Sequence, residues 1–106
     1  MSDLQAWIDK LGAMSTEDIR ELMQQEGIKG LPCHAMACPI ARFLRSKVDQ
    51  DIRVSNYRIY AHEGIAYTWN TKTPQTVREF VSRFDNTVYP ELVQDMRLDP
   101  HGVMND

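Results

Sequence analysis

A chain of 106 residues, 42% hydrophobic and 25% charged, has the material for one domain with one core and little room for a second. No apolar run approaches the roughly 18 residues of a membrane span, and a net charge of −3 argues against a protein whose whole surface serves nucleic acid. The opening Met1-Ser2-Asp3-Leu4-Gln5-Ala6-Trp7 lacks a basic stretch followed by an apolar one, so the expectation is no secretory signal, a cytoplasmic setting and reduced thiols.

Ser2 and Gln5 have the spacing of a capping box, and Leu4, Trp7, Ile8 and Leu11 then form one apolar stripe at i, i+3, i+4 and i+7. Gly12 ends this first helix. Ser15 is a strong N-cap for a second one, with Glu17 and Asp18 at the positive end of the helix dipole and Met14 and Ile19 spaced as a hydrophobic staple. Ile19, Leu22 and Met23 supply its buried stripe. Gly27 suits the left-handed position after the C-cap, with Ile28 folding back on the last turn. Residues 1–28 therefore predict a helical hairpin.

A glycine-marked loop over Gly30–Ala37 leads to Cys38 at an N-cap and Pro39 at the first helical position, where a missing N–H costs nothing. Ile40, Phe43, Leu44 and Val48 are the core stripe of that helix, while Arg42, Arg45 and Ser46 face elsewhere. The period then changes from helical to alternating. Ile52 and Val54 make a short strand. Tyr57, Ile59 and Ala61 alternate with Arg58 and Tyr60, and Ile65, Tyr67 and Trp69 alternate with Ala66 and Thr68. Turns fall at Ser55-Asn56 and His62-Glu63-Gly64. A three-stranded antiparallel meander follows, with one face needing helices against it.

Thr73-Pro74 repeats the cap-plus-proline pattern before a last helix with the stripe Val77, Phe80, Val81 and Phe84. Asp85-Asn86 breaks it, and Tyr89-Pro90-Glu91-Leu92-Val93 predicts a short closing turn packed by Leu92. The expected fold is α+β: an N-terminal helical hairpin, a Cys-Pro-capped helix, a three-stranded antiparallel meander and a C-terminal helix. Residues 1–94 make the single domain, and residues 95–106 read as a frayed polar tail.

The pattern Gly27-Ile28-x-Gly30 and Ala37-Cys38-Pro39-Ile40-Ala41-Arg42-Phe43-Leu44 resembles small uncharacterised proteins encoded by actinobacteria and their phages or integrated elements. Ile52-Arg53-Val54-Ser55, the segment from Val77 to Asp85 and Tyr89-Pro90-Glu91-Leu92-Val93 carry the rest of it. The resemblance spans residues 17–93 and implies a genomic setting but no active site. Cys33 and His34 lie outside its pattern.

Charge is uneven: −4 over residues 1–27, +4 over 28–58 and −3 over 59–106. The basic middle is either a face for an acidic partner or a solvated surface paired within the molecule. Arg42, Arg45, Arg53 and Arg58 with Tyr57 and Tyr60 also have the composition of a nucleic-acid surface, though no helix-turn-helix or RNA-recognition signature accompanies them. Cys33, His34 and Cys38, with His62 or His101 as a fourth ligand, are a candidate zinc set, but structural zinc usually takes two separated pairs and the chain has one. A thiol at a helix N-terminus has a favoured thiolate, so Cys38 is also a candidate nucleophile with His34 as base and Cys33 as resolving thiol. Its alternative role is a small buried cap. Phosphate-loop, His-Glu-x-x-His and Gly-x-Ser-x-Gly signatures are absent from the sequence.

The function these residues predict is a small non-enzymatic accessory protein of a phage or mobile element, binding a host or element-encoded protein through Arg42, Arg45, Arg53, Arg58 and Tyr60. A metal- or thiol-dependent domain centred on Cys33, His34 and Cys38 is the first alternative. A nucleic-acid module using residues 42–58 is the second.

Overall fold

The computed structural model describes residues 2–63 and 66–94. Helices α1 (Ser2–Gly12), α2 (Thr16–Gln25), α3 (Pro39–Lys47) and α4 (Gln75–Asp85) accompany strands β1 (Ile52–Val54), β2 (Arg58–Glu63) and β3 (Ala66–Lys72). The strands pair antiparallel in the order β1-β2-β3, so the α+β fold with a meander is as the sequence predicts. The predicted tail over 95–106, His101, the predicted turn residue Gly64 and the predicted strand residue Ile65 lie outside the described residues.

Local signals set most helix ends. The Ser15 hydroxyl accepts from the Asp18 N–H at 3.1 Å, the expected N-cap of α2, and Met14 and Ile19 both pack on the core. Gly27 sits at φ +69°. Around it the Ile28 N–H donates to the Met23 carbonyl and the Gly27 N–H to that of Gln24, at 2.9 and 3.1 Å, a complete Schellman motif. In α1 the Gln5 amide turns forward to Asp9 Oδ1 at 2.9 Å, toward the next helical turn.

The stripes meet in one core. Leu4, Ile8, Leu11, Ile19, Met23, Ile40, Phe43, Leu44, Val77, Phe80 and Phe84 are all buried together with Ile52, Val54, Ile59 and Ala61 from the sheet. Each such large side chain, fully withdrawn from water, contributes about 1.5–3 kcal/mol. The register Ile52↔Ala61↔Trp69 and Val54↔Ile59↔Thr71 puts these residues on one sheet face, with α3 packed against β1. Trp69 and Val48 are only partly buried at the margin.

Three local expectations are corrected. Tyr57 does not enter β2; it stands 75% exposed at the turn. The Ser55 hydroxyl accepts from the Tyr57 and Arg58 N–H groups at 3.2 and 2.9 Å, a side-chain turn that holds Tyr57 outside the strand. Thr73 does not cap α4 either. Its hydroxyl donates to the Ser55 carbonyl at 3.1 Å, and Pro74 takes the N-cap position with no side-chain cap. The Cys38-Pro39 device is therefore not repeated. Finally, β3 runs on to Lys72, three residues beyond the predicted alternation, which ends at Trp69.

Candidate functional site

Cys38 has extended backbone angles, and its Sγ accepts from the Ala41 N–H at 3.4 Å, so it is the cap of α3. Burial pushes its thiol up to about 11, and the backbone N–H groups of Ala41 and Ile40 pull back only part of that. Desolvation wins over the helix terminus, and the group stays a protonated thiol at neutral pH. That removes the basis for a ready nucleophile at this position.

Cys33 is exposed, with φ +59°, and its N–H donates to Asp85 Oδ1 at 2.8 Å. This bond ties the loop to the end of α4. A cleft of about 210 Å³ opens beside it, with Cys33, His34, Cys38, Ser55, Asn56 and Asp85 in its walls. The predicted fourth ligand His62 does not reach it. The His62 N–H donates to the Asp51 carbonyl at one end of β1, whereas Ser55 lines the cleft at the other. Four residues of strand, about 3.3 Å each, put roughly 13 Å between those ends. Among the described residues no three of His, Cys, Asp and Glu come together closely enough to hold a metal ion. Cys33, His34, Cys38 and His62 therefore do not assemble into a ligand set among the described residues, and His101 lies outside them.

The five residues predicted for partner binding divide into two groups. Arg42 is half-buried and donates from one guanidinium nitrogen to the Lys29 carbonyl at 2.9 Å and to Gln94 Oε1 at 2.8 Å. Arg45, also half-buried, donates to the Ile52 carbonyl at 3.1 Å. The reason for that second bond is the β1–β2 ladder. The Ser55 N–H donates to the Arg58 carbonyl and the His62 N–H to that of Asp51, so Arg53↔Tyr60 is the hydrogen-bonded pair between them. Ile52 and Val54 consequently turn their polar backbone atoms away from β2. Arg45 satisfies the Ile52 carbonyl, and the Ala35 carbonyl accepts from the Val54 N–H at 3.0 Å. The expectation that Arg42 and Arg45 point to solvent fails because both are used to close the backbone.

Arg53, Arg58 and Tyr60 do share a surface. They lie on the sheet face opposite the core, with Asn70 and Lys72 beside them and Asp51 at the end. Arg58 is directly opposite Lys72 in the register. The Thr73 N–H donates to the Tyr57 carbonyl, which makes Arg58↔Lys72 one of the closely spaced, non-hydrogen-bonded pairs. Two cations facing each other there oppose pairing. The Arg58 guanidinium turns aside to donate to Asn70 Oδ1 at 2.9 Å. Lys72 is the member of this surface that sequence patterning misses. Its outward parity follows from its pairing with Arg58, which no local signal reports.

The chain matches no known family model, no curated protein and no solved structure.

Proposed function

We propose that this protein acts by binding another protein through the open face of its sheet, as a non-enzymatic accessory factor of a phage or mobile element. The observation that carries the binding reading is the Arg58↔Lys72 pair. With Arg53 beside it and Tyr60 between, it makes a positive, aromatic-centred patch on the side that carries no core. Holding two cations directly across a strand pair costs the isolated sheet stability, and an acidic partner surface would offset that cost. Tyr60 offers an amphipathic contact of the kind enriched at protein interfaces. The resemblance to actinobacterial and phage proteins supports the genomic setting.

The test is capture from nuclease-treated actinobacterial lysate by the wild-type chain and by an Arg53→Glu, Arg58→Glu double variant. A protein retained by the first and released by the second supports the reading. Retention by both, or retention only of nucleic acid when nuclease is left out, rejects it. The same double variant should melt at or a little above the wild-type temperature, because both side chains are exposed and Arg58→Glu replaces the like-charge pair with Lys72 by an opposite-charge one.

A further inference from the structure

A second surface shares no residue with the sheet. Helices α1, α2 and α3 leave between them a groove of about 180 Å³, whose floor is Trp7, Leu11, Met14, Leu22 and Phe43 and whose rim is Lys10, Lys47 and Glu26. The floor is built on an aromatic pair. Trp7 meets Phe43 edge to face, with centroids 5.6 Å apart and planes at 82°. The rim is cationic and only half neutralised. Lys47 lies 5.4 Å from the Trp7 ring centre and 5.3 Å from that of Phe43, and its ammonium pairs with Glu26 at 3.0 Å. The Lys10 ammonium stands 4.8 Å from the Trp7 ring centre, and no carboxylate among the described residues pairs with it.

An apolar floor beneath an unpaired ammonium is complementary to one kind of molecule. We infer that this groove binds a small apolar carboxylate, whose hydrocarbon body fills the space above Trp7, Leu22 and Phe43 and whose carboxylate meets Lys10 and Lys47. Size selects the body. A cavity of about 150 Å³ accepts benzene, so this space takes one ring or a chain of about six carbons. Drug-sized ligands need about 300 Å³ or more and do not fit. Charge selects the head. The ligand carboxylate would supply Lys10 with a counter-ion that no described carboxylate provides, and would compete with Glu26 for Lys47. The groove differs in this from the sheet face, which has no apolar floor, so the inference stands independently of the proposed protein contact.

The competition with Glu26 gives the test its direction. The isotope-labelled full chain is titrated with 3-phenylpropionate and, separately, with the neutral 3-phenylpropan-1-ol, following the indole N–H of Trp7 with Trp69 as internal control. The acid should shift the Trp7 signal saturably, and the alcohol should bind several-fold more weakly. Lys10→Gln should remove most of the acid's advantage. Glu26→Gln, which frees Lys47, should tighten the acid about two- to fivefold and leave the alcohol unchanged, the range expected for one surface ion pair. Both substitutions are at exposed positions, so both variants should fold. Equal binding of acid and alcohol, no saturable shift at Trp7, or weaker acid binding in Glu26→Gln would each overturn the inference.

Discussion

Gly30 lies directly against Pro39. A Cβ on Gly30 would stand 2.8 Å from both the nitrogen and Cδ of Pro39, and closer still to the Ala37 carbonyl oxygen. Its own backbone is fully engaged. The Gly30 N–H donates to the Leu92 carbonyl and its carbonyl accepts from the Gln94 N–H, both at 2.9 Å, a parallel bridge between the loop and the closing segment. The Leu31 N–H bonds the Ala37 carbonyl at 2.9 Å, which draws the loop shut over the start of α3. The pieces named in the resemblance, Gly27 to Gly30, the Cys38-Pro39 helix start and the Tyr89 to Val93 close, are thus neighbours around one glycine.

Gly30→Ala should therefore destabilise the protein by about 3 kcal/mol, the upper range for overpacking, because the clash is with backbone that cannot rotate away. Thermal unfolding followed by circular dichroism should show a melting temperature at least 10 °C lower, at roughly 4–8 °C per kcal/mol for a domain near this size. A loss under 1 kcal/mol would mean that the loop relaxes freely.

The buried Cys38 thiol makes stability depend on alkaline pH. In the unfolded chain the thiol ionises near 9, whereas burial raises it to about 11 in the folded protein. Between these values the unfolded state releases a proton that the folded state keeps. The contribution is complete below pH 9 and is lost as pH rises toward 11, and at about 1.4 kcal/mol per pH unit it amounts to roughly 2–3 kcal/mol. Urea midpoints at pH 8 and pH 10 should fall more steeply for the wild type than for Cys38→Ser. A thiol reagent should modify Cys33 at once and Cys38 only on unfolding.

Two helices end in the same motif with different residues at its left-handed position. Gly27 has φ +69° after α2, and Thr87 has φ +59° after α4, where the Val88 N–H reaches the Arg83 carbonyl and the Thr87 N–H that of Phe84, both at 2.9 Å. A β-branched residue there is strained by about 1–2 kcal/mol. Thr87→Gly should raise stability by about 0.5–1 kcal/mol after the entropy cost of glycine is taken off, and Gly27→Ala should lower it by about 1 kcal/mol. Nothing lies within 4 Å of a Cβ built on Gly27, so its cost is backbone conformation alone. Chemical denaturation of the pair measures both signs.

Arg42→Ala and Arg45→Ala should act on the fold. Each removes a charged donor from a backbone carbonyl, at a cost of about 1–2 kcal/mol where the site is half-buried. Arg53→Ala and Arg58→Ala should leave denaturation midpoints within about 0.5 kcal/mol of wild type. The reverse ranking would put the open face in the wrong place.

Much of this protein is legible from one residue window at a time. Ser15 with Asp18, Gly27 with Gln24 and Cys38 with Ala41 are bonds spanning three residues, so the residue that makes each of them announces it in the sequence. The stripes of α1, α2, α3 and α4 are equally local, because a helical period exposes the same face wherever the helix is later placed. Alternation likewise separates Ile59 and Ala61 from Arg58 and Tyr60 before any partner strand is known.

Only tertiary structure decides what the polar residues do. Thr73 has the sequence context of a cap, yet Ser55, eighteen positions away, offers its hydroxyl a carbonyl. Arg42 and Arg53 are indistinguishable as exposed-looking cations, but the first finds the Lys29 carbonyl and Gln94, while the second stands on the outer side of a strand. Cys38 at a helix start is a nucleophile or a cap according to burial alone, and burial depends on α4 and the sheet closing over it. The sequence by itself determined the elements and their buried faces, through interactions between near neighbours. The register of β3, the closure of the Gly30 loop and the division of the arginines between fold and surface required the assembled molecule, because each depends on unpaired backbone groups brought together from distant parts of the chain.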